Sequence, residues 1–127
     1  MTTGRTRSAT ATTEAGEEQR PPDIAAIRAS AGRALTTELS QEELDMLPRT
    51  LRGHIQRLIP EVAAAAAREP EDSVPRACAR ACTGEAHRKL RLGDGDTPLI
   101  RLSVVHKLAR SVNALCDHFE NLGGAAS

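Results

Sequence analysis

Apolar residues recur every three or four positions along most of this chain, which is the spacing of one face of an α-helix. The stretch from Leu99 to Leu122 shows it best, with Leu102, Val105, Ala109, Val112, Cys116 and Phe119 in one stripe. Leu108, Leu115 and Leu122 widen the stripe along one edge, and Lys107, Arg110, Asn113, Asp117 and Asn121 occupy the other side. A stripe this wide calls for burial against several helices rather than one.

The same period predicts three earlier helices. Asp23 is placed to cap a first one, with Ile24, Ile27, Ala31 and Leu35 on its face, fading at Thr36-Thr37. Ser40 and Glu43 form an S-x-x-E capping box. It introduces Leu44, Leu47, Leu51, Ile55, Leu58, Val62 and Ala65. Pro48 either starts a fresh segment or kinks a continuous one, and Pro60 leaves the Gln56 carbonyl without its donor, so a bend is expected there. Pro70 ends the run. Asp72 or Ser73 caps a third helix that tolerates Pro75 in its first turn. Val74, Cys78, Ala81 and Leu92 are its expected inner face, and Gly93 its expected stop. Asp94 to Pro98 reads as a turn, with Asp96 or Thr97 capping the last helix.

No stretch alternates like a strand. The expected fold is therefore all-α, a four-helix antiparallel bundle over residues 22–122. Residues 1–21 are nearly empty of large apolar side chains and are expected to be a disordered tail; residues 123–127 read as a frayed end.

Composition narrows the possibilities. Aromatic residues make up only 1% of the chain, so the core must be leucine, isoleucine, valine and alanine. Alanine buries little area, which points to a modest stability margin and makes a homodimer or a protein partner attractive. Formal charge is zero, with 17 basic and 17 acidic residues, and base-stacking aromatics are missing. Both argue against a nucleic-acid binder. No apolar run approaches the ~20 residues of a membrane span, and no secretory apolar core is visible. Three cysteines do not make a disulfide framework. A cytoplasmic protein with reduced thiols is expected.

Few residues offer chemistry. Projected at ~100° per residue, Glu85 falls beside Val74, Cys78 and Ala81 and should point at the core. A buried carboxylate needs a partner; Arg52, His54, His106 and Asn113 are the candidates. Three roles fit Glu85: an acid, base or ligand anchor; an ion pair fixing helix register; or, if the helix rolls, a solvent pair with Lys89. His54 sits at the edge of the second apolar face with Glu61 along the same edge, next to Gly53 and one turn from Pro60. These either form a small polar pocket or leave His54 a satisfied boundary residue. Cys78, Cys82 and Cys116 all project inward, but their spacing matches no compact zinc knuckle, so no metal is expected. The Asp94-Gly95-Asp96 turn lacks the remaining oxygen ligands of a calcium loop. Cys116 and His118 point ~200° apart on a helix and cannot act on one atom. His106, Asn113 and Glu120 share one edge of the last helix, either as a hydrogen-bonding rim or as a partner-binding edge. Phosphate loops and the H-E-x-x-H and G-x-S-x-G motifs are absent, and no cofactor is expected.

Three blocks in order carry a family likeness: Leu51-Arg52-Gly53-His54 with Leu58 to Val62; Ala81 to Ala86 with Arg88-Lys89-Leu90; and Leu108 to Ser111 with Leu115 to Leu122. Over about residues 23 to 122 the chain resembles small actinobacterial proteins labelled "natural product biosynthesis protein". The resemblance implies a secondary-metabolite setting and assigns no catalytic residue. The expected function is a non-enzymatic interaction or accessory module. The alternative is a ligand-binding or catalytic bundle that uses an inward Glu85 with His54 or Arg52.

Overall fold

A computed structural model describes residues 20–123. The expected disorder of the tail falls almost wholly outside these residues, as do the last positions of the frayed end. The described residues form four helices: α1 (Ile24–Ala34), α2 (Gln41–Ala67), α3 (Val74–Lys89) and α4 (Pro98–Asn121).

Each helix starts where a side-chain oxygen can accept from an otherwise unpaired backbone N–H. Asp23 accepts from the Ala26 N–H at 3.1 Å. Ser40 and Glu43 complete the capping box from both sides, at 3.1 and 3.0 Å. Ser73, not Asp72, caps α3, and Thr97, not Asp96, caps α4. The start of α3 also closes the end of α2, because Arg76 donates to the Glu69 carbonyl at 3.0 Å and to the Ala67 carbonyl at 3.4 Å.

Neither proline breaks α2, which runs unbroken for 27 residues through Pro48 and Pro60. An interior proline costs about 3 kcal/mol. Here the apolar residues on either side of both prolines are buried, and that packing holds the segments together as one helix.

The core is a central pair with two flanks. Leu51, Ile55, Leu58 and Val62 of α2 meet Val105, Leu108, Val112 and Leu115 of α4, all fully buried. These two helices share the most extensive packing in the bundle. Their starts lie at the same end, where Arg101 reaches Asp45 at 3.0 Å. α1 runs antiparallel to α4: Arg28 near its start meets Asp117 and Glu120 near the end of α4, both at 2.6 Å. α3 packs on the opposite flank, against α2 and α4.

The third helix is turned from its expected phase. Val74 is 72% exposed, and Cys78 and Ala81 are also exposed. The inward positions are Ala79, Cys82 and Ala86, each one residue later than Cys78, Ala81 and Glu85. One residue is ~100° of helix rotation. The reason is size: two alanines let α3 lie close against the central pair, whereas Val74 sits in the first turn, beyond the core. The helix also ends early, at Lys89. Gly93 is not the stop. The left-handed position is Gly95, with φ +97°, where an added Cβ would lie 2.6 Å from Ile100 Cγ2.

Candidate functional site

The five polar candidates turn out to serve four separate places. Arg52, half-buried on α2, donates to the Leu92 carbonyl and to Asp94 Oδ1, both at 2.6 Å. It therefore fastens the α3–α4 loop to α2. Arg101 adds a bond to the Gly95 carbonyl at 3.3 Å from the other side. His106 Nε2 donates to the Thr36 carbonyl at 2.9 Å, tying the α1–α2 connection to α4. That bond fixes the proton on Nε2. Asn113 is half-buried on the same edge and makes no side-chain hydrogen bond among the described residues.

His54 Nε2 lies 3.4 Å from Ser30 Oγ, at the seam of α1 and α2. Burial lowers its pKa from the ordinary value. It borders a shallow cavity of about 460 Å³ with Pro22, Asp23, Ala26, Ile27 and Arg57. Of the two readings of His54, this seam fits the boundary residue, and the cavity it borders does not include Gly53, Pro60 or Glu61. Gly53 instead faces a different hollow with Arg52, Gln56 and Asp94.

Glu85 requires the main correction. With α3 rotated, its carboxylate points outward and accepts from Lys89 Nζ at 2.5 Å and Arg88 Nη2 at 2.6 Å. These two cations, Lys89 first, hold its pKa down to about 2. The acid is a solvent-side ion pair, not a core carboxylate, and it meets neither Arg52 nor His54. An inward-facing acid–histidine site is therefore not available.

The thiols also divide. Cys116 is buried, and desolvation pushes it up to about 11. Cys82 is half-buried and raised by the same cause, while Cys78 is exposed. Thiols raised in this way are poor nucleophiles. Among the described residues, no group of three or more His, Cys, Asp or Glu side chains is placed to hold a metal. No helix among the described residues is long and apolar enough to cross a membrane.

What the sequence did not suggest is a groove on the outer side of α3 and α4. One stretch, about 320 Å³, lies between Glu85 and Lys89 on α3 and Lys107 and Arg110 on α4. It continues into a second, about 450 Å³, bordered by Cys78, Ala81, Cys82 and His118. Glu85, Ser111 and Ala114 belong to both. One signal was available: the chain contains only two lysines, Lys89 and Lys107, and both stand on this groove.

Neither a curated protein nor a solved structure matches the chain. Residues 25–124 match the model of the family of unknown function DUF6415, and the chain belongs to that family.

Proposed function

We propose that this DUF6415 member is a non-enzymatic interaction module, cytoplasmic and accessory to natural product biosynthesis in an actinobacterium. One observation carries the reading. The polar residues best suited to chemistry are engaged in separate structural contacts, while a shaped surface, the α3–α4 groove, runs along the outer side of the bundle. Arg52 holds a loop, His106 holds a chain connection, and Glu85 neutralises two neighbouring cations. None of these converges with another on a common cavity, as acid–base or nucleophilic catalysis requires. The metabolic setting rests on the three sequence blocks described above.

Deletion and complementation in the producing strain test the proposal. Loss of the gene should lower metabolite output, and His54→Gln, which lies away from the α3–α4 groove, should restore it as well as the original chain does. Unchanged output on deletion would remove the metabolic setting. A folded His54→Gln protein that fails to complement would return the chain to the enzymes. Light scattering of protein drawn gently from the same cells should give a mass above the monomer, from a second copy or a bound protein. A strict monomer with nothing bound contradicts the module.

A further inference from the structure

We infer that the α3–α4 groove receives an acidic amphipathic helix of a partner protein. The inference rests on the interaction-module reading and adds the partner's chemistry.

Shape comes first. Both walls are helical faces with helical spacing: Cys78, Ala81, Cys82 and Glu85 on α3, and Lys107, Ser111, Ala114 and His118 on α4. The floor side chains are small: Cys82, Ser111 and Ala114, with Ala81 on the exposed rim. Small residues between two packed helices let a third helix approach closely and lay its apolar stripe along the seam. The two hollows share Glu85, Ser111 and Ala114 and so adjoin along the helix pair, as a rod needs and a compact small molecule does not.

Charge then selects the partner. Arg88, Lys89, Lys107 and Arg110 stand along the groove, and among its described lining residues Glu85 is the single carboxylate, with Asp117 nearby, close enough to raise the Cys82 thiol. Glu85 is shared between Arg88 and Lys89. Lys107 and Arg110 have no ion-pair or hydrogen-bond partner among the described residues. The groove thus presents an excess of cations in a chain whose formal net charge is zero. Carboxylates flanking an apolar stripe would meet these cations on either side, steering the encounter and fixing its direction. A nucleic acid suits the site less well, because no aromatic residue stands in the groove to stack a base and the acid interrupts the basic line.

The test uses the full chain and three synthetic helical peptides of equal length. All share one alanine–leucine face; the other face carries glutamate, glutamine or lysine. Fluorescence anisotropy at low salt should rank glutamate above glutamine, and glutamine above lysine. The exposed pair Lys107→Glu with Arg110→Glu should weaken the glutamate peptide at least about tenfold and tighten the lysine one, with an unchanged thermal melt. Ala114→Gln, which fills the floor, should weaken all three. Because the chain's lysines are Lys89 and Lys107, amine acetylation read by mass spectrometry reports the groove directly, and bound glutamate peptide should protect both. Equal binding of the three peptides, or no loss in the charge-reversed protein, overturns the inference. So does displacement of the glutamate peptide by duplex DNA at matched charge concentration. If the groove variants change nothing while the native protein still runs above monomer mass, the groove assignment falls and the module reading stands.

Discussion

The two flanking helices are held to the same central pair in opposite ways. α1 is short but is fastened through its face. Ile24, Ile27, Ala31 and Ala34 are buried, and Arg28 reaches across to two carboxylates on α4. α3 is longer, yet only Ala79 and Ala86 are buried, and its acid pairs within its own helix. Its outside ties sit at its ends: Arg76 on the end of α2, and Arg52 on the loop that follows. A helix that packs inward through small side chains and makes its outside polar ties at its ends keeps its outer face available, and that is where the groove lies. Burial of large aliphatics thus separates the two flanks, and the proposed groove lies on the one whose helix buries only alanines.

Substitutions can break or sharpen this contrast. The largest effect belongs to the face-held helix: Ile27→Ala should cost about 2–4 kcal/mol in chemical denaturation, because it deletes buried methyl groups from α1. Next is the end of α3. Gly95→Ala should cost about 2 kcal/mol, since φ +97° disfavours any side chain. Arg52→Met should cost about 1–2 kcal/mol, as the Leu92 carbonyl and Asp94 lose their donor. His54 contributes a smaller, pH-dependent term. Its folded pKa lies below the ordinary value, so the unfolded chain takes the proton first. Stability should fall as pH drops through about 6.5 and level off below the folded pKa, and melts of His54→Gln over the same range should show a shallower decline. The smallest effect is expected on the outer face of α3, where Ala81→Gln should stay within about 0.5 kcal/mol. A loss there as large as that of Ile27→Ala would erase the contrast.

The sequence is most informative where large side chains do the packing. α2 and α4 carry leucine, isoleucine and valine in long stripes with capping oxygens before them, and both helices run from the expected starts. α1 is nearly as plain, because Asp23 caps it and its two isoleucines mark the face; Leu35, expected on that face, instead lies exposed just past the helix end, and Ala34 is buried in its stead. α3 is the exception. Alanine and cysteine distinguish faces weakly, and Val74, its one branched aliphatic residue, lies in the first turn. The expected face was therefore one residue out, and Glu85 went with it. Arg52 illustrates a different limit. Its partners, Leu92 and Asp94, lie about forty residues along the chain, and nothing in local spacing foretells a meeting that only the packed bundle creates. The groove was hidden for both reasons at once, being formed by a misphased helix and a neighbour whose polar side looked merely solvated.

Native-state hydrogen exchange on the free protein tests the contrast most directly, because each helix reports its own opening free energy. Amides in the middle of α3, around Ala79 to Ala86, should open at a lower free energy than those of α1 around Ile27 to Ala31. Both should open below the α2 and α4 core. If the α3 amides exchange only through global unfolding, as slowly as those around Leu58 and Leu108, then α3 is not the lightly held flank and its groove is not a face kept free for a partner.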